Sequence, residues 1–113
     1  VERAVFGLDH AAVAGLVGDT WQLPAALVTA LRTHHDPDGF AGDPLAALLH
    51  VADQLALQQG FAVPFGRATA PIAPAAMARL GLSTTTLEAL AARAAAEMER
   101  TAELLNLGAK PCR

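Results

Sequence analysis

The chain has 113 residues, 53% of them hydrophobic and 17% charged, with a mean hydropathy of +0.34, which excludes a disordered polar tail. Eight Lys and Arg oppose eleven Asp and Glu for a net charge of −3, and the cations are scattered from Arg3 to Arg113 rather than clustered, so a nucleic-acid partner is not expected. Twenty-seven alanines stand against four phenylalanines and one tryptophan, so the apolar content comes from small side chains that let helices approach closely, and the expected class is all-α.

Asp9 is a good N-cap, and His10, Val13, Ala14 and Val17 follow at i, i+3, i+4 and i+7, the spacing of one helix face. Gly18-Asp19 loosens that helix near Trp21, and Pro24 opens a second at its first position. The predicted inner face of the second helix is Leu27, Ala30, Leu31 and His34, with Pro37 and Gly39 as the stop and a polar turn from Asp36 to Asp43. Asp43-Pro44 starts a third helix with an inner stripe of Leu45, Leu48, Leu49, Ala52, Leu55 and Ala56, ending at Gly60. Three prolines and Gly66 between Phe61 and Pro74 read as a loop. A short helix from Ala75 to Leu80 ends at Gly81. The last helix has capping-box spacing at Thr85 and Glu88, a stripe running from Leu87 to Leu105, and a stop at Gly108. The sum is a compact bundle of about five helices within one unit: core helices over residues 1–60, a loop over 61–74 and C-terminal helices over 75–108.

Two histidines occupy positions where a core would take leucine: His10 shares a face with Val13 and Val17, and His34 with Leu27 and Leu31. A buried imidazole needs partners for its nitrogens, and Asp53, at the flank of the third helix's stripe, is the candidate. Imidazole plus carboxylate suits Zn, Mn or Fe; the alternative is a hydrogen-bonded polar cluster that fixes helix register. His35 lies about 100° round the helix from His34 in the last turn, where the helix dipole favours an imidazolium cap as much as a ligand. His50 points away from its stripe and is expected in solvent. Cys112 has no base beside it and no partner for an internal disulfide, which fits a reducing cytoplasm and an inert thiol. No apolar run approaches the length of a membrane span. The start, Val1-Glu2-Arg3, has neither an initiator Met nor a signal-peptide core and reads as part of something longer.

The stretch Phe6-Gly7-Leu8-Asp9-His10, Gly15, Trp21, Leu23-Pro24, then Leu31 through His34-His35-Asp36-Pro37, then His50-Val51-Ala52-Asp53 resembles the HDOD family over roughly the first 60 residues. These are the HD-related output domains of bacterial signalling proteins, relatives of the HD phosphohydrolases and the HD-GYP cyclic-di-GMP phosphodiesterases. The resemblance implies an HD-domain-like helical fold, with His10, His34, His35 and Asp53 at the later metal-ligand positions of the HD-GYP pattern, as a metal site or its vestige. The earlier His and the His-Asp pair of the metal-dependent relatives have no counterpart. His35-Asp36 spells that dipeptide, but at the later paired-histidine position. The signature loop is reduced to Asp38 through Pro44 and lacks its tyrosine.

The implied function is signal transduction without catalysis, through contact with a protein partner, a second copy or the N-terminal helices of the same domain. No catalytic residue and no resident cofactor are expected, with a divalent Mn, Fe or Zn ion as the alternative occupant of the four-residue set. The competing function is metal-dependent hydrolysis of a phosphodiester or phosphomonoester. A further reading is a plain helical scaffold whose last helix mediates dimerisation, against that helix folding back over the others.

Overall fold

The computed structural model describes residues 2–60 and 71–105. They form α1 (Glu2–Phe6), α2 (His10–Thr20), α3 (Ala25–Thr33), α4 (Pro37–Gly42), α5 (Pro44–Gln58), α6 (Pro74–Leu80) and α7 (Thr84–Leu104), with no strand among them. Caps set the starts: the Asp9 carboxylate accepts from the Ala12 N–H, Asp36 from Asp38, Asp43 from Leu45 and the Ser83 hydroxyl from Thr86. Each satisfies a donor that the first turn leaves unpaired.

The all-α class and the order of the five predicted helices hold, and two further short helices appear, α1 and α4. The segment expected as a polar turn is helical because Asp36 caps it and Pro37, at the first helical position, has no N–H to lose. Pro24 is the N-cap of α3 rather than its first helical residue. The cap of α7 is Ser83, not a box of Thr85 with Glu88. The predicted stop at Gly108 and most of the predicted loop lie outside the described residues.

Helix α2 packs on α3, α3 on α5, and α5 on α4 and α6. The core is Ala30, Phe40, Ala46, Ala47, Val51, Ile72 and Ala76, with Leu45, Leu49, Met77 and Leu80 partly buried around it. Alanine lets the helices approach, and the leucines fan out to the margins. This reverses the predicted face of α2 and shifts that of α5. In α2 the buried residues are Ala11, Gly15 and Gly18, while Val13 and Val17 are 45% and 38% exposed. In α5 the fully buried edge is Ala46, Ala47, His50, Val51 and Gln54, about half a turn from the centre of the predicted stripe; Leu45, Leu49 and Leu55 of that stripe still pack on the core's margin, while Leu48 is 52% exposed. Close backbone packing through small residues thus outweighs burial of the largest side chains.

His50, expected in solvent, is therefore buried: its ring stacks on Phe40 with centroids 4.4 Å apart, and Nε2 accepts from the Ala73 N–H at 3.2 Å. It ties the segment before α6 to α5. Helix α7 buries none of its residues. It meets the rest through Leu87 at the core margin and through the Gln59 amide, which donates to the Ala91 carbonyl at 2.6 Å, so the expected folding back over the other helices is slight. No helix among the described residues is long and apolar enough to cross a membrane.

Two positions carry tests. Helices α2 and α6 end alike: Gln22 and Leu23 donate to the Asp19 and Gly18 carbonyls, and Gly81 and Leu82 to Ala78 and Met77. This closing motif wants a left-handed residue, which Gly81 supplies freely at φ 64° and Gln22 adopts at φ 57°. Gln22→Gly is predicted to raise stability by about 0.5 kcal/mol, the relief of left-handed strain less the added entropy of the unfolded chain. At Gly39 a Cβ would lie 2.7 Å from the Thr33 carbonyl oxygen, so Gly39→Ala is predicted to lower stability by about 1 to 3 kcal/mol. Urea denaturation followed by circular dichroism checks both.

Candidate metal centre

His10 is the first residue of α2, held there by the Asp9 cap. His34 and His35 follow the end of α3, where the Asp36 N–H turns back to the Thr33 carbonyl at 2.9 Å and Pro37 forbids another helical turn. Asp53 comes from the body of α5. One ligand atom from each of these four residues lies within 4.8 Å of the others. His34 is buried and the other three are half-buried.

All four residues expected as ligands are thus brought together. The sequence pattern misplaced only His35: along an unbroken helix it would point away from His34, but α3 stops at Thr33, and the two rings come to 4.0 Å between centroids. The His34 ring is 5.5 Å from that of His10, and the His35 ring meets His10 edge-on at 4.5 Å and 84°.

The polar contacts fix which nitrogens face inward. His34 Nδ1 lies 2.7 Å from the Leu31 carbonyl oxygen, which can only accept, so Nδ1 carries a proton and Nε2 is the nitrogen left to act as a ligand when the ring is neutral. A backbone carbonyl holding the far nitrogen of a histidine is the usual support of a ligating imidazole. His10 Nε2 and His35 Nε2 are 2.6 Å apart, the distance of a shared proton, and His35 Nε2 is 3.7 Å from Asp53 Oδ2. Nearby, Asp9 accepts from the Ala12 N–H and pairs with Arg3 at 2.8 Å. The Ala12 hydrogen bond, then Arg3, His10 and His35, hold its carboxyl below the usual value.

Three imidazoles, as ligands in their neutral form, and a carboxylate are the donor set of a zinc, manganese or iron ion. Ligands on one ion with bonds near 2.1 Å sit about 3.4 Å apart in a tetrahedron; the His35–Asp53 separation of 3.7 Å is close to that, whereas His10 and His35 Nε2, at 2.6 Å, must part by about 0.8 Å to take places on the same ion. The donor types fit one ion once that pair separates. Among the described residues no second group of three or more such ligands occurs. Sequence reading missed the Leu31 carbonyl, which no side-chain pattern reveals. It also missed the groove of about 280 Å³ that Phe6, Leu8 and Val13 form around the outer edge of His10.

The HDOD domain family model matches residues 1–37, from α1 through the turn after α3, and this partial match supports an HDOD-family assignment. The match takes in His10, His34 and His35 but stops short of Asp53, whose place in the cluster rests on the geometry. No curated protein and no solved structure matches the chain.

Removing the cap that places His10, by Asp9→Ala, is predicted to cost about 1 kcal/mol at neutral pH. Because the folded carboxyl sits below its ordinary value of 3.8, its charged-state contribution is full above that value and is lost as the pH falls through the lower folded one. The gap between wild type and Asp9→Ala in thermal melts should therefore narrow on strong acidification.

Proposed function

We propose that this HDOD-type chain is a non-catalytic signal-transduction output module acting through protein contacts. On this reading His10, His34, His35 and Asp53 hold one divalent ion that joins α2, α3 and α5 rather than hydrolysing a substrate. The observation that carries it is the donor set itself: one ligand atom from each of four residues, all within 4.8 Å of one another. Four protein ligands complete the tetrahedron that structural zinc prefers, whereas catalytic zinc keeps one position for water. A two-metal hydrolytic site would need ligands beyond these four. When bound, the ion supplies positive charge that neutralises the Asp53 carboxylate and replaces the proton between His10 and His35.

Each ligand residue then has a structural task. His10 fixes the start of α2, His34 and His35 fix the turn that ends α3, and Asp53 anchors both to α5. A module that works by contact needs that geometry held, because its surface is built on α1 and α2. The match of residues 1–37 to the HDOD domain family agrees with such a role.

One observation favours the second reading, metal-dependent phosphoester hydrolysis: the His35 and Asp53 side chains are 27% and 30% exposed, so a small phosphoester can reach the cluster from solvent. The two readings separate in one preparation. Protein supplied with one equivalent of Zn, Mn or Fe should melt roughly 10 °C above chelator-treated protein, the shift expected for ligand near a hundredfold over its dissociation constant. It should hydrolyse neither bis(p-nitrophenyl) phosphate nor p-nitrophenyl phosphate above the blank. Turnover that disappears in Asp53→Asn would establish the enzyme instead, and an unchanged melting point with less than about 0.1 equivalent of bound metal would remove the ion altogether.

A further inference from the structure

The rotation of α2 that buries Ala11, Gly15 and Gly18 turns its larger apolar residues outward. Leu16 is 53% exposed, Trp21 73% and, on the preceding segment, Phe6 78% and Leu8 46%, with Val13 and Val17 between them. At 100° per residue, Leu16, Val13, Val17 and Trp21 fall along one continuous arc of α2, and Val13 shares its groove with Phe6 and Leu8. Weighted by exposure, the six side chains leave on the order of 600 Å² of apolar surface in water. That is at the upper end of what an isolated monomer shows in one patch, and with a polar rim it approaches the ~800 Å² each partner contributes to a stable interface.

The face carries both a hole and a knob. The hole is the groove of about 280 Å³ lined by Phe6, Leu8, His10 and Val13 at the start of α2. The knob is the Trp21 indole at its end, eleven residues or about 17 Å further along. A two-fold axis near Leu16 and Val17 sets two α2 helices antiparallel and brings each knob opposite the other copy's hole, the self-complementary arrangement an isologous dimer requires. Tryptophan is also the residue that most often anchors such contacts.

We infer that the α1–α2 face is a self-association surface, occupied by a second copy of this chain so that Trp21 of each copy fills the groove beside His10 of the other. The inference names the partner for the protein-contact reading and rests on it for function, but it stands on surface shape, not on metal, so the two fail separately. In the dimer each indole also covers the outer edge of a cluster histidine.

The test is light scattering coupled to size exclusion on the full chain from 1 to 200 μM, with tryptophan fluorescence alongside. The expected result is a dimer whose Trp21 emission shifts to the blue as it forms. Leu16→Glu and Trp21→Ala should each raise the dimer dissociation constant at least tenfold without changing the helical circular dichroism, since both side chains lie outside the monomer's core. In a Cys112→Ser background, Leu16→Cys should form a disulfide-linked dimer on mild oxidation. A monomer across the whole range overturns the inference. So does a dimer that Leu16→Glu and Trp21→Ala leave intact, which would place the contact elsewhere, on α7 for example. Metal content measured on the same samples reports on the cluster independently.

Discussion

Four polar side chains meeting in a half-buried space must share charge, protons or a metal, and the rest of this structure is arranged around that requirement. A neutral imidazole presents one donor and one acceptor, so three of them beside a carboxylate have more lone pairs than hydrogens to fill them. The Leu31 carbonyl accepts a hydrogen bond from His34 Nδ1, while His10 Nε2 and His35 Nε2 approach to 2.6 Å, close enough to share a proton. The cluster is electron-rich, which is the property that makes it attractive to a cation and costly to leave buried without one.

That demand explains details which look accidental when taken singly. Helix α3 breaks at Thr33 and places two successive histidines side by side; Asp9 caps α2 so that its first residue is aimed at them; the α5 rotation that buries alanines still leaves Asp53 at the edge, within reach of His35. Small residues make it possible. Alanine and glycine at the α2–α3 and α3–α5 contacts let three helices come close enough for side chains of modest reach to touch, and the same choice forces the bulky residues of α2 outward, where they form a face in need of a cover.

Much of this was legible in the sequence, and the failures have one cause. Helix starts were readable because Asp9 and Asp43 are local signals, and so was His34, a histidine at a buried position; His10 was singled out by sharing a face with Val13 and Val17, which in fact turns outward. The buried faces of α2 and α5 were not readable. Hydrophobic periodicity assumes that the largest apolar side chains face the core, and in an alanine-rich chain the closest packing comes from the smallest ones, so Val13 and Leu48 turn outward and His50 inward. His35 was counted in the set, but its direction was not readable, since it depends on where α3 stops, a boundary of one residue. Asp36-Pro37 was read as that boundary's far side, when it also starts α4.

The ring nitrogens themselves give the most direct test. In a long-range ¹⁵N–¹H correlation spectrum, a titration with zinc should move the Nε2 resonances of His10, His34 and His35 together and reach its end point at one equivalent. His34 Nδ1 should remain protonated, and His50, held by Ala73 and Phe40, should not respond. If the three Nε2 signals stay in place, or if His50 moves and the cluster does not, the claim that these helices are joined through a single ion is wrong.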